Sequence, residues 1–180
     1  MAILKVSRMG HPVLRAKAKA LSPADIKHAV VQNLIDDMLD TMDEYHGVGL
    51  AAPQVHEGLR IFVGILESGV ADDGKDADHE PIALINPEIT AVGDEVVEEW
   101  EGCLSIPDIR GRVPRAKEIR LRGYDRDGRK VDLHLKDFHA RVAQHETDHL
   151  DGILFFDRMR SFESLTFLDE YSRYWTKDKD

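Results

Sequence analysis

The sequence predicts an α+β fold in one domain spanning residues 1–180. Strand patterns are grouped between residues 60 and 135, whereas helical patterns stand apart from them at 24–44, 137–152 and 162–175. Strands and helices that are segregated along a chain are typical of α+β domains, because parallel α/β folds alternate the two. We therefore expect antiparallel or mixed sheets, with the helix at 137–152 at their centre. A chain of 180 residues is long enough to bury such a core.

Composition limits the classes of partner and compartment. The formal net charge of −10 disfavours nucleic acid or an anionic membrane as a direct partner. The single cysteine excludes an intramolecular disulfide, which fits a reducing cytoplasm. Apolar runs are too short to span a bilayer. We expect a cytoplasmic protein with no membrane partner and no specificity for nucleic acid.

The N-terminal part predicts one amphipathic helix. Residues 3–6 are either a short strand or an extended arm. Ser22 and Pro23 suit the N-cap and first position of a helix over 24–44 that stops at His46. Apolar residues at four-residue steps give it a core-facing stripe. These are Ile26, Val30, Leu34, Met38 and Met42.

The central part predicts strands and two loops. Residues 60–66 form a buried strand, 67–80 form an acidic exposed loop without the EF-hand pattern, and 82–86 and 89–100 form further strands. A loop follows between Pro107 and Pro114.

The last part predicts a hairpin and two helices. Alternating residues at 119–124 and 131–135 flank the turn signal Asp127-Gly128. The helix after it begins near Asp137 and ends at Gly152, and a C-terminal helix covers 162–175.

The helix at 137–152 carries a metal-binding pattern. His145 and His149 are four residues apart, so both rings can reach one cation, and Glu146 can address a water molecule beside it. The pattern needs a third ligand. Glu170 on the following helix and Cys103 at the end of a strand are both candidates, and the pattern leaves the choice open.

A second unusual stretch, Gly47-Val48-Gly49-Leu50-Ala51-Ala52-Pro53-Gln54, has almost no side-chain bulk. Its backbone can lie close to another chain or to a ligand, although a plain turn between helix and strand has a similar composition.

Three motifs together resemble the peptide deformylase family. They are the Gly-x-Gly-Leu-Ala-Ala-x-Gln loop at 47–54, the Glu-Gly-Cys-Leu-Ser segment at 101–105 and the Gln-His-Glu-x-Asp-His-Leu-x-Gly helix at 144–152. All are complete and in order. The resemblance implies a metal-dependent hydrolase that removes the N-formyl group from the initiator methionine of nascent chains and releases formate.

The resemblance also implies a metal centre and partners. One divalent ion is held by Cys103, His145 and His149; in the family it is commonly iron(II), with zinc, nickel or cobalt also able to occupy the site. The expected partners are formyl-Met nascent peptides and, near the exit tunnel, the ribosome. Soft and imidazole ligands of this kind accept several divalent metals.

Further site residues follow from motif positions. The resemblance makes Glu146 the general base, and makes the Gln54 side-chain amide and the Leu104 backbone N–H the donors to the oxyanion. Backbone groups of three residues are expected to pair with the peptide: Val48, Gly49 and Gly102.

Three residues share the helix face of His145 and are expected to line the methionine pocket: Phe138, Arg141 and Val142. Arg141 is unexpected in an apolar pocket. Either its stem lines the wall while its charged head reaches solvent, or it contacts the substrate at the rim.

Overall fold

The computed structural model describes residues 2–66 and 80–176, and it has two antiparallel sheets with one helix between them. The helices are α1 Pro23–Ile26, α2 Ala29–Glu44, α3 Asp137–Leu150 and α4 Leu168–Tyr174. The strands are β1 Gly49–Ala51, β2 Ile61–Gly64, β3 Ile82–Ala91, β4 Val96–Cys103, β5 Ile106–Ala116, β6 Glu118–Tyr124, β7 Lys130–Lys136 and β8 Thr166–Phe167.

The strand order is β1-β2-β3-β6-β7 in the larger sheet and β4-β5-β8 in the smaller one. Helix α3 contacts strands of both sheets. The predicted α+β class and the central position of this helix are therefore confirmed.

The core has a layer on each side of the larger sheet. Ile61 and Val63 of β2 pack with α2, whereas Phe62 between them packs on the side of α3. This alternation follows from the two-residue period of a strand that is buried on both faces. A third, smaller cluster lies under the β4-β5-β8 sheet and includes Phe155.

The prediction of one helix over 24–44 is wrong, because α1 ends after one turn and α2 restarts at Ala29. Ser22 caps α1 as expected, in a capping box with Asp25. His28 is extended and begins the new helix. Ile26, Met38 and Met42 of the predicted stripe are buried, whereas Val30 is 79% exposed. Val31 and Ile35 complete the buried face of α2.

Strand boundaries differ from the prediction at two places. Strand β3 continues through Pro87 to Ala91, and a turn at Gly93 separates it from β4. The predicted loop between Pro107 and Pro114 is part of β5. Strand β8 pairs with β5 only at Ile109 and Arg110, so among the described residues no strand lies beside Pro114 on the outer edge, where a residue without an N–H is tolerated.

The terminal predictions are corrected in part. Residues 3–6 form an extended arm, held by a hydrogen bond from the Leu4 N–H to Thr41. The predicted helix over 162–175 is wrong, because β8 precedes the shorter α4.

Of the acidic loop predicted at 67–80, residues 67–79 lie outside the described residues. The 119–124 and 131–135 hairpin and the helix beginning at Asp137 are confirmed. No helix in the described ranges is long and apolar enough to cross a membrane.

Gly152 follows the C-cap of α3, Asp151, and has the left-handed conformation, with φ of +73°. A Cβ atom there would lie 2.6 Å from the Arg15 carbonyl oxygen. We expect Gly152→Ala to lower the free energy of unfolding by about 2–3 kcal/mol, because backbone strain and a backbone clash add. Urea unfolding measures this.

Gly93→Ala is the matched control, since Gly93 has φ of +75° and nothing near its Cβ position. It isolates the conformational cost of about 1 kcal/mol. Equal losses in the two variants would show that the Arg15 contact carries no cost.

Candidate metal centre and active-site cleft

A cleft of about 970 Å³ opens where β1, the end of β4 and α3 meet. Its lining includes Val48 and Gly49 from the low-bulk loop, Cys103 from β4, and His145 and Glu146 from α3. The cleft therefore brings together all three motifs that the sequence singled out.

Three metal-ligating side chains converge there. Ligand atoms of Cys103, His145 and His149 all lie within 4.8 Å of one another. The sulfur of Cys103 is 3.2 Å from Nε2 of His149. In the described residues Glu170 belongs to no such group, and it pairs with Arg173 on its own helix. Of the two candidates for the third ligand, the structure brings Cys103 to the histidines.

The donor set fits a divalent ion. Nδ1 of His145 lies 2.9 Å from a carboxylate oxygen of Glu101, which can only accept, so this nitrogen carries a proton. Burial alone would lower the pKa of His145, but hydrogen bonds to Cys103 and Glu101 outweigh it and raise that pKa well above its usual value, so Nε2 must release a proton before it can bind an ion. For His149, burial lowers the pKa well below its usual value, and the ring is neutral as a metal ligand must be. One thiolate and two imidazoles suit zinc, iron, nickel or cobalt.

Glu146 has the surroundings of a proton-transfer group. It is 4% exposed, and its Oε2 atom has no hydrogen-bond partner in the described residues. In the metal-free chain burial raises the pKa of its carboxyl group to about 7, and a nearby cation lowers such a pKa again. A carboxyl group whose pKa lies between its ordinary value and about 7 can accept a proton and return it near neutral pH.

Glu101 is a functional residue that the sequence reasoning did not assign. It is 6% exposed and its two oxygens face Nε and Nη2 of Arg115 at 2.9 and 3.0 Å. Burial alone would raise the pKa of Glu101, but hydrogen bonds from His145 and Arg115 outweigh it and hold that pKa far below its usual range. The sequence signal that could have identified Glu101 is the two-residue alternation along β4, which places Glu99, Glu101 and Cys103 on one face of the strand.

A chain of paired charges extends from Glu101 behind α3. Arg115 also contacts Asp148, the residue before His149, and Asp148 is paired at 2.7 Å with Arg158, which reaches the surface. The buried members of the chain therefore each have a partner of opposite charge, as burial requires.

Arg141 belongs to the same network, and both expectations about its side chain are corrected. Its guanidinium is buried, with Nη1 2.8 Å from Glu101 and Nη2 2.7 Å from the Val97 carbonyl oxygen. The residue borders the cleft, but its charged head points neither to solvent nor to the rim. The reason is the carboxylate of Glu101, which attracts it inward.

The expected oxyanion donors lie beside the cluster. The Gln54 amide nitrogen is 3.5 Å from the Cys103 sulfur and 3.3 Å from the Ser105 hydroxyl, and its Oε1 accepts from the Ala51 N–H at 2.8 Å. These contacts fix which way the amide points. Leu104 follows Cys103 in the β4–β5 turn and lines the cleft.

The expected peptide-binding residues all border the cleft. They are Val48, Gly49, Gly102, Phe138, Arg141 and Val142. A Cβ atom on Gly49 would lie 2.5 Å from Oε1 of Glu146, so only glycine lets the backbone pass the carboxylate. Phe138 is half-exposed and Val142 is buried.

The family can now be decided by comparison. The sequence profile described as polypeptide deformylase matches residues 3–164. The chain is a member of the peptide deformylase family. It is 42% identical over 176 residues to peptide deformylase 2 of a Nostoc species, covering 98% of this chain and 97% of the relative. It is also 42% identical over 168 residues to a peptide deformylase of Dictyoglomus turgidum, covering 93% and 99%.

Solved structures agree. The crystal structure of a Thermotoga maritima peptide deformylase has a TM-score of 0.78 at 37% identity, covering 89% of this chain and 100% of that one. A class I type b peptide deformylase of Acinetobacter baumannii, bound to Met-Ala-Ser, has a TM-score of 0.78 at 34% identity, covering 88% and 99%.

Membership of this family gives the activity. The chain is a metal-dependent hydrolase of linear amides that removes the formyl group from the N-terminal methionine of newly synthesised proteins. Formylated nascent peptides are its substrates.

Glu101→Gln tests the link between the buried carboxylate and the metal. A neutral amide cannot satisfy His145, Arg115 and Arg141 together, so we expect affinity for a divalent metal to fall about 10–100-fold. Chelator competition measures it. The matched control is Glu99→Gln. The carboxylate of Glu99 also contacts Arg141, but the Glu99 side chain is 56% exposed. Equal affinities for the two variants would contradict this role of Glu101.

Proposed function

We propose that Cys103, His145 and His149 hold the divalent ion required for deformylation, and that iron(II) is the ion in the cell. The observation that carries this is the convergence of the three ligand atoms, with Glu101 fixing the tautomer of His145. When bound, a divalent ion supplies Lewis acidity, which makes water a stronger acid and a carbonyl carbon a stronger electrophile.

Glu146 is the proton carrier in this proposal. It takes a proton from water as the oxygen bonds to the formyl carbon. It then delivers that proton to the amine nitrogen as the carbon–nitrogen bond breaks, so formate and a free N-terminus leave. The unpaired, buried Oε2 supports this role, because no other group in the described residues competes for the proton.

Gln54 and Leu104 stabilise the charge on the formyl oxygen. The Gln54 amide is held in advance by Ala51 and Ser105, so it needs no reorganisation when the charge develops. A preorganised donor of this kind is worth about 2.7–4 kcal/mol of activation free energy.

The peptide lies beside β1 as an added strand. In the described residues this strand pairs with β2 on one side only, so the backbone of Gly49 faces the cleft at an open sheet edge. The Val48 carbonyl already accepts from the Ile65 N–H on the inner side, which leaves the Val48 N–H as its group for a peptide. Gly102 borders the other side, and Phe138 and Val142 line the methionine pocket. Arg141 supports that wall from behind. Backbone hydrogen bonds do not depend on the identity of the peptide's side chains, which suits an enzyme with many protein substrates.

The setting of the reaction follows from the substrate. We expect the enzyme to act in the cytoplasm, on chains emerging near the ribosomal exit tunnel, since formyl-methionine is present only on newly made N-termini.

Glu146→Ala separates proton transfer from metal binding. We expect the variant to keep about one metal ion per chain and to lose at least a hundredfold in kcat, the range that a general acid–base contributes. Metal analysis and formate release from formyl-Met-Ala on the same sample measure both. Near-normal turnover would remove the assignment of Glu146.

The identity of the ion has its own test. Protein purified without oxygen from cells grown in ordinary medium is expected to contain iron as its main metal, and formate release is expected to fall in air as iron is lost. One zinc ion and no iron per chain, with full and air-stable turnover, would contradict iron(II).

A further inference from the structure

A second cavity lies behind α3 and is separate from the metal-site cleft. It has a volume of about 750 Å³, and Gln144, Thr147 and Asp148 of α3 line it. A spacing of three or four residues places these side chains on one face of the helix. Their neighbours His145 and Glu146 line the metal-site cleft instead. The helix therefore lies between two cavities, and we call the second one the rear cavity.

The rear cavity has more cationic than anionic side chains in its lining. The acids are Glu88, Asp148 and Asp151. Four cations accompany them, although the chain as a whole has a formal net charge of −10. These cations are Lys17, Arg60, Arg115 and Arg158. A surplus of positive charge within a concave surface attracts an anion.

Three donors in this lining have no partner in the part of the chain that the structure describes. The hydroxyl oxygen of Thr147 is buried and makes no hydrogen bond. Arg158 donates to Asp148 from Nε at 3.1 Å and from Nη2 at 2.7 Å, which leaves its Nη1 unused. The exposed side chain of Lys17 makes no ion pair.

These unused donors can serve a ligand without disturbing the ion pairs around them. A buried hydroxyl without a partner costs free energy, and a ligand oxygen that accepts from Thr147 recovers that cost. An anion that accepts from Lys17 and from Nη1 of Arg158 gains hydrogen bonds between charged groups while Asp148 keeps its guanidinium partners.

The strands supply an apolar wall to the same cavity. Pro87 and Ile89 of β3, Val96 of β4 and Pro114 of β5 line it. Val96 is 53% exposed, so a ligand that covers it removes apolar surface from water. The volume falls within the range of about 300–1,000 Å³ that is typical of small-molecule sites. The rear cavity therefore fits a molecule with an anionic head and an apolar body.

We propose that the rear cavity binds a small phosphate monoester with an aromatic or apolar body. A phosphate group has three acceptor oxygens and about −1.5 to −2 charges at pH 7, which match three unused donors and a cationic lining. The head lies against Thr147, Arg158 and Lys17, and the body lies against Ile89 and Val96. This proposal is independent of the proposed function, because binding here requires no turnover.

The test measures binding of phenyl phosphate to the metal-loaded enzyme by isothermal titration calorimetry. We expect saturable binding with a Kd of about 1 mM or lower, which is ordinary for a ligand of this size. Inorganic phosphate is expected to bind about tenfold more weakly, because it leaves the apolar wall in contact with water.

Lys17→Gln and Thr147→Val are each expected to raise the Kd for phenyl phosphate about tenfold, since each removes one donor to a charged group. The matched control for the first is Lys19→Gln, which makes the same change of charge at an exposed residue outside the lining. The control for the second is Thr147→Ser, which keeps the hydroxyl. Both controls are expected to leave the Kd unchanged.

Three results would overturn the rear cavity as a phosphate site. The first is the absence of saturable binding of phenyl phosphate. The second is an equal rise in Kd for Lys17→Gln and Lys19→Gln, because net charge alone would then explain the binding. The third is displacement of phenyl phosphate by the peptide Met-Ala-Ser, which would place the phosphate in the metal-site cleft. None of these measurements uses formate release, so failure of the proposed function would be seen separately.

Discussion

The geometry of the candidate metal site depends on one buried carboxylate. Glu101 accepts from His145, Arg115 and Arg141 at once, so it connects a histidine of α3 to strands β4 and β5. A ligand set drawn from a strand and a helix is only as rigid as the contact between those elements. Glu101 makes that contact through hydrogen bonds between charged groups. Such bonds are shorter and stronger than hydrogen bonds between neutral groups, and they have a preferred direction that apolar contacts lack.

Such a network contributes more to orientation than to stability. Burying Glu101, Arg115 and Asp148 costs desolvation free energy that their mutual attraction only partly recovers, so an apolar replacement can be as stable. What an apolar core cannot do is accept a hydrogen bond from Nδ1 of His145 and so fix the orientation of its ring. The network therefore explains why polar residues occupy the space behind α3.

The candidate metal site was largely predictable and the frame around it only in part. The four-residue spacing predicted the two histidines as ligands but left Cys103 and Glu170 open as the third, and only the resemblance of three whole motifs to the family favoured Cys103. The break between α1 and α2 was not predictable, since no Gly or Pro marks it at His28. Arg141 was misjudged for a related reason: its environment is set by Glu101, 40 residues earlier in the chain and brought close only by the fold.

The open edge of β1 also bears on how the protein avoids self-association. An unpaired strand edge attracts any extended chain, including the edge of another copy, and this is a common route to aggregation. Here the edge has only three residues and lies within a cleft. An edge this short presents few backbone groups to a second copy, and its recessed position keeps those groups away from a flat sheet edge. The same feature that leaves backbone groups available in the cleft therefore limits their use in aggregation.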